Sequence, residues 1–287
     1  MAEPAQPPLS SFKRLSAAAV QQYRREGYHF PLRVMPAEAA SALRTRLERH
    51  EQHAGGPLSG HLRHKTHLLF TWLWDLVFDP RILDAVEDLL GPDLLCWSSS
   101  FFIKEAQDPS FVSWHQDATY WGLSSPDVVT VWLALSSSTV RSGAMRVMPG
   151  SQHEQFAHRD TFAAHNLLTR GQEVAVDIDP ARSVALELEP GEASLHHVLI
   201  VHGSEPNCAD DRRIGFAMRF IPPHVRQIAG ANDSATLVRG VDRYGHFAPE
   251  QAPEYDMSPA ACDRHAAITA AQAATLYRGT DKATFRP

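Results

Sequence analysis

Apolar side chains recur along this chain with two different periods. Up to about residue 91 they return every three or four positions, the spacing of one helix face. Residues 16–28 carry apolar or small side chains at that spacing, with Gly27 as a C-cap. A second helix is expected over 36–52, with Pro36 at an N1-like position and Leu43 and Leu47 on one face. Residues 54–61 are rich in Gly, Pro and Ser and read as a loop. Residues 65–77 are dense in Leu, Phe and Trp, which predicts helix or irregular core. Asp79-Pro80 opens a further helix that runs to Leu90 and stops at Gly91-Pro92.

From residue 94 the period changes to that of strands. Residues 94–105, 128–137, 144–148, 184–188, 193–201 and 213–221 are β-like runs separated by turn residues such as Gln107-Asp108-Pro109, Pro149-Gly150-Ser151 and Pro190-Gly191. Short strands with this punctuation predict an antiparallel barrel or jelly roll. Residues 156–171 form a polar insertion, and the Ala-rich stretch 259–278 is expected to close the chain as a helix. The organisation is mainly β with flanking helices: a helical N-terminal layer on a β core, with a C-terminal helix. Residues 1–10, with three prolines and no apolar core, read as a disordered lead-in rather than a signal peptide, leaving 11–287 as a single domain.

Composition narrows the function. A formal net charge of −6 argues against nucleic acid as a partner. No apolar run reaches the length of a membrane span. Three widely spaced cysteines, Cys96, Cys208 and Cys262, fit reduced thiols in a cytoplasmic protein and give no zinc-finger spacing.

The candidate chemistry starts at His115-Gln116-Asp117. On an extended backbone residues i and i+2 share a face, so an imidazole and a carboxylate lie side by side with Gln116 pointing away. Such a pair can supply two ligands of a 2-His-1-carboxylate facial triad for non-heme Fe(II). With 16 histidines in the chain a lone His-x-Asp is weak evidence. The third ligand has three candidates, His196, His197 and His202. His202 sits where a strand runs out into Gly203-Ser204, which leaves room for a metal; His196 and His197 lie mid-strand and fit hydrogen-bonded barrel histidines better. If the strand is regular, His196 shares a face with His202 by parity.

In 213–220 the alternation is clean. Ile214, Phe216, Met218 and Phe220 form an apolar face suited to helix packing, and Arg213, Gly215, Ala217 and Arg219 form the other. Small residues beside Arg213 leave a cavity, and a buried guanidinium needs an anion because an unpaired buried charge is costly. A ligand carboxylate gripped by the planar fork is one partner; Asp210 or Asp211 at the preceding turn is the other. Trp132 falls on an interior face with Thr130, Ala134 and Ser136, as cavity wall or core aromatic. Lys104 falls with Ser98, Ser100 and Phe102, either at the cavity or snorkelling to solvent.

Taken together these motifs resemble the phytanoyl-CoA dioxygenase family of Fe(II)/2-oxoglutarate-dependent oxygenases. The matching residues are Trp114-His115-Gln116-Asp117-Ala118-Thr119-Tyr120, Ser142-Gly143-Ala144-Met145-Arg146-Val147-Met148-Pro149-Gly150-Ser151-Gln152, and His202-Gly203-Ser204 with Pro206-Asn207 and Arg213. Tyr23-Arg24-Arg25-Glu26-Gly27-Tyr28 matches the family's opening helix and strand, and the similarity runs from about residue 11 to 225. The resemblance implies a double-stranded β-helix (jelly roll, cupin-like) core, His115, Asp117 and His202 as iron ligands, and Arg213 on the far carboxylate of 2-oxoglutarate. It places Gln116 and Trp132 at the cosubstrate or substrate cavity, with Lys104 and Met145 as weaker assignments of the same kind. Ser142 departs from the Asn that many relatives carry before the Gly. Halogenating relatives lose the carboxylate to make room for chloride; Asp117 is kept, so oxygenation is expected. The implied reaction consumes O2 and 2-oxoglutarate, releases succinate and CO2, and hydroxylates a small organic substrate, such as an amino-acid-like, amine or phosphonate compound or a natural-product intermediate. The alternatives are a cupin-type Zn or Mn isomerase or hydrolase, or a non-catalytic metal-binding relative. Tyr120-Trp121 and the 156–171 insertion are candidates for pocket wall and lid, and Arg219, Lys104, His64, Lys65 or Arg239 for an anionic substrate group.

Overall fold

The computed structural model describes residues 12–230, 233–282 and 285, so the expected lead-in lies outside the described residues. The N-terminal layer holds α1 (Ala17–Glu26), β1 (Tyr28–Arg33), α2 (Ala37–Ala54), α3 (Thr71–Val77) and α4 (Pro80–Leu90). The β region follows with β2 (Leu94–Lys104), β3 (Val112–His115), β4 (Val129–Ala134), β5 (Arg146–Val147), β6 (His158–Asp160), β7 (Gln172–Val174) and β8 (Val184–Ala185). It continues with β9 (Glu192–His197), β10 (His202–Ser204), β11 (Arg213–Ile221), β12 (Ser234–Arg239) and β13 (Ala248–Pro249), and α5 (Pro259–Leu276) closes the chain.

Local signals account for the helix ends. Ser16 caps α1 by accepting from the Ala19 amide at 3.1 Å, and Gly27 ends it at φ 84°, a left-handed conformation that L side chains adopt at a cost. Asp79 caps α4 through the Arg81 amide at 2.8 Å, with Pro80 in the first turn. Pro36 stands at the N-cap of α2 rather than at N1, one position from expectation.

The strands form a seven-stranded sheet in the order β1-β9-β4-β11-β2-β12-β13 and a four-stranded sheet in the order β3-β10-β5-β8. All pairings in these sheets are antiparallel except β12 with β13. This is the jelly-roll core with helical flanks. β11 lies inside the larger sheet and is buried along its whole length. Its Ile214, Phe216, Met218 and Phe220 pack into one apolar cluster with helix residues such as Val20, Leu47, Leu73 and Val86. Its Ala217 faces the other way and joins Trp132, Val147 and Ile200 in a second cluster between the sheets. The two-period pattern of β11 therefore divides the molecule: helices on one side, a cavity-bearing interior on the other.

One expectation is corrected. The run 193–201 is not a single strand continuing to His202. β9 ends at His197, whose side-chain Nδ1 accepts from the Leu199 amide at 3.1 Å and whose carbonyl accepts from the Ile200 amide at 3.0 Å. The chain thereby turns out of the large sheet, and β10 belongs to the small one. Parity along one strand does not relate His196 to His202. The 156–171 stretch is also partly structured, because β6 pairs with β7 in a separate hairpin. Among the described residues no helix is long and apolar enough to cross a membrane.

Candidate metal centre and cosubstrate cavity

β3 and β10 pair antiparallel with His115 directly opposite His202, so two imidazoles from positions 87 residues apart meet with ring centroids 4.1 Å apart. Gln116 keeps an extended backbone (φ −115°, ψ 132°) and Asp117 then opens a short 3-10 turn, Asp117–Tyr120. The extended link is why the i, i+2 rule holds although the strand itself ends at His115. His115, Asp117 and His202 are buried, and their ligand atoms all lie within 4.8 Å of one another, the only such trio among the described residues.

The hydrogen bonds fit this trio to a cation. His115 Nδ1 lies 2.9 Å from the Ser113 carbonyl and 3.1 Å from that of His202, and His202 Nδ1 lies 3.0 Å from the Ile200 carbonyl. A ring nitrogen facing a carbonyl must carry the proton, which leaves the Nε2 lone pairs free to bind metal. Burial lowers the His202 pKa to about 4, with the nearby His115 adding to the effect, so this imidazole is neutral at physiological pH. Burial alone would raise the Asp117 carboxyl, but His115, 3.3 Å away, and the neighbouring His202 hold it well below the usual carboxylate range. Two imidazoles with one carboxylate are the donor set of a facial triad.

The cavity beside the trio spans about 420 Å³, and Thr130, Trp132, Met145, His196, Arg213 and Arg219 are among its walls. Arg213 is 2% exposed, and its Nε and one terminal nitrogen have no hydrogen-bond partner. The turn acids do not serve it: Asp211 pairs with Arg44 at 2.6 Å and Asp210 with Arg141 at 3.0 Å. Burial lowers its pKa only to about 10, so it remains a cation at neutral pH. Its guanidinium carbon lies 5.2 Å from the Trp132 ring centroid. Gly215 makes this seat possible, because a Cβ there would fall 1.8 Å from the Trp132 ring.

Two residues assigned to the cavity from the sequence do not reach its wall. Gln116 Nε2 donates to the Glu154 carbonyl at 2.7 Å and the Leu199 carbonyl at 2.6 Å, and its Oε1 accepts from the Phe156 amide at 2.8 Å. Its amide is spent on backbone behind the site, where it fixes the His115–Asp117 link. Lys104 neither lines the cavity nor snorkels: it is fully buried, with Nζ donating to Ser204 Oγ at 2.8 Å and to the Glu205 carbonyl. The reason is register. Lys104 is the cross-strand partner of Arg213, and its amine reaches past the cavity to β10. His196 does line the cavity, 5.1 Å from the His202 ring, although it comes from the other sheet.

A second cavity, of about 590 Å³, adjoins the first and shares Phe102, Asp117 and Arg219 with it. Tyr120 and Trp121 wall it, with Leu167 and Leu168 from the insertion and Gln272 and Leu276 from α5. The part played by α5 has no local signature in the sequence, since Gln272 is brought to the site only by tertiary packing.

The sequence profile of the phytanoyl-CoA dioxygenase family matches residues 15–215. The chain belongs to the phytanoyl-CoA dioxygenase family. Of the solved structures, the apo form of the non-heme monooxygenase ThoJ is 38% identical, superposes with a TM-score of 0.78, and covers 90% of this chain and 97% of its own. CytC3 with Fe(II) and alpha-ketoglutarate is 25% identical at a TM-score of 0.65, covering 85% of this chain and 97% of its own. A probable alpha-ketoglutarate-dependent hypophosphite dioxygenase of Stutzerimonas stutzeri is 30% identical over 159 residues, 53% of this chain and 54% of that protein. The chain thus spans about half the length of the curated relatives it matches. Within this phytanoyl-CoA dioxygenase family member, the matched span includes His115, Asp117, His202 and Arg213.

Proposed function

We propose that this protein is an Fe(II)- and 2-oxoglutarate-dependent dioxygenase that hydroxylates an unactivated C–H bond of a small organic molecule. One observation carries the reading: an unpaired, buried Arg213 faces the same cavity as a closed trio of two imidazoles and a carboxylate. Iron(II) held there, with O2 and 2-oxoglutarate, would supply a C–H oxidation coupled to decarboxylation of the oxo acid to succinate and CO2. The protein's own residues do the rest. His115, Asp117 and His202 would hold the metal at the wall of the cavity. Arg213 grips the distal carboxylate of the cosubstrate with its planar fork, and Trp132 keeps that fork in place. Gln116 anchors the turn that presents Asp117. Tyr120, Trp121 and the insertion cover the second cavity and exclude bulk water from the reacting groups.

A Zn- or Mn-dependent isomerase or hydrolase, or a non-catalytic metal-binding relative, would use the trio but has no need of the buried cation across the cavity. Anaerobic addition of Fe(II) and 2-oxoglutarate should give a visible charge-transfer band, and air should then yield succinate. Metal binding with neither signal would overturn the proposal in favour of those alternatives.

A further inference from the structure

Of the buried arginines among the described residues, Arg170 is paired with Asp160, whereas Arg213 and Arg219 form no salt bridge. Arg213 has a role in the reading above; Arg219 does not. It lies six residues further along the same face of β11, opposite Thr130 on one neighbouring strand and Ser98 on the other. It is 6% exposed, and one terminal nitrogen donates to Ser100 Oγ at 3.1 Å while Nε has no partner. Its guanidinium carbon stands 5.2 Å from the Trp121 ring centroid and 5.9 Å from that of Phe102. Aromatic faces orient a cation but satisfy none of its N–H donors. Asp117 is the carboxylate whose charge acts on it, yet that carboxylate lies 3.3 Å from His115 as part of the trio. A metal in the trio would neutralise it.

The remaining buried basic side chains offer no such opening. Lys65 is saturated by Glu250, at 2.6 Å, and Ser234, and Lys104 by Ser204 and Glu205. Beside Arg213, Arg219 is therefore the buried cation among the described residues whose place requires an anion from outside, and it stands at the junction of the two cavities. The second cavity supplies a matching body site: Trp97, Trp121, Leu168 and Leu276 are apolar walls, with Ser98 and Gln272 as polar points.

We propose that Arg219 anchors an anionic group of the substrate, a carboxylate or phosphonate, and lays an apolar body along Trp121 in the second cavity beside the metal centre. The assignment rests on the dioxygenase reading and deepens it: the substrate is a small organic acid with an apolar portion.

The test uses phenylacetate and phenylphosphonate as anionic probes and phenylacetamide as their neutral counterpart. Each is titrated calorimetrically into anaerobic protein carrying Fe(II) and saturating 2-oxoglutarate, so that Arg213 is occupied. Wild type should bind at least one anion about 10- to 100-fold more tightly than the amide, the span expected for a charge-assisted hydrogen bond. Arg219→Met should abolish that preference, Arg219→Lys should keep part of it, and the Fe(II)/2-oxoglutarate band should survive in both. The proposal is overturned if wild type binds neither anion or does not prefer it over the amide. It is equally overturned if the Met variant keeps the preference, or if that variant loses the band, which would make Arg219 a support of the metal ligands. The same titrations on metal-free Arg213→Met protein separate the two claims: an anion preference there that depends on Arg219 supports the anchor even if the cosubstrate reading fails.

Discussion

Arg213→Met should remove 2-oxoglutarate binding without destabilising the protein, which is the opposite of what replacing a buried, contact-rich side chain usually does. In the cosubstrate-free protein the guanidinium is buried with two nitrogens lacking partners. An uncompensated buried charge costs several kcal/mol even after relaxation. Its compensation is a cation–π contact with Trp132 at 5.2 Å, worth ~0.5–2 kcal/mol. A Met of similar length keeps the packing and removes the charge, so the net change is expected between zero and about 3 kcal/mol of added stability. For a chain of this size that corresponds to a rise of ~2–4 °C in Tm per kcal/mol. The bound state moves the other way. Two charge-assisted hydrogen bonds to a carboxylate at ~1.5–3 kcal/mol each amount to two to four orders of magnitude in affinity. Differential scanning calorimetry with and without 2-oxoglutarate, in the presence of Fe(II) under argon, reads both effects. Wild type should gain Tm with the cosubstrate; the variant should start at the same Tm or higher and gain none. A fall of about 5 °C in the cosubstrate-free variant together with an undiminished cosubstrate shift would refute the reasoning.

The buried pair Lys65–Glu250 should matter for stability alone: Glu250→Gln leaves Lys65 an uncompensated charge and is expected to cost ~3–5 kcal/mol, read by urea unfolding. Burial by itself would raise the Glu250 carboxyl, but Lys65 and His67 hold it well below its usual range. A depressed folded pKa contributes stability above the unfolded value, about 4.3, and loses it as pH falls further. Wild type should thus lose stability more steeply than the Gln variant below about pH 4. Lys104 has the opposite sign. Burial, with Arg213 opposite, lowers its pKa to about 6, so the unfolded chain binds the extra proton between about 6 and 10.5. Stability should rise with pH across that window, and Lys104→Met should flatten the rise in thermal melts from pH 6 to 10. Gly215→Ala puts a methyl group into the Trp132 ring, an overpacking worth ~1–3 kcal/mol; it should lower Tm and, by displacing the Arg213 seat, weaken 2-oxoglutarate binding in the same titration.

What the sequence made legible was whatever depends on periodicity. The residues of β11 run from Arg213 to Ile221 as the alternation predicts, because a strand with helices on one face and a cavity on the other must alternate. The His115–Asp117 spacing was readable for the same reason, since Gln116 keeps the backbone extended. The break after His197 was not: 193–201 contains neither Gly nor Pro, and the turn rests on hydrogen bonds from the Leu199 and Ile200 amides to His197 that leave no compositional mark. Lys104 was misplaced because alternation gives the face of a side chain but not how far a long amine reaches. The walls contributed by α5 depend on packing over more than a hundred residues of sequence separation, and no local pattern encodes that.

Arg213 and Arg219 occupy one face of one strand, with Ala217 between them. Six residues of strand measure about 20 Å at roughly 3.3 Å each. Cosubstrate and substrate would then be gripped at their charged ends by the same rigid rod. Such a gauge selects by length: in a homologous series of acids, the carbon that is oxidised should stay at a fixed reach from the acid group, and members too short to cover that reach should escape oxidation.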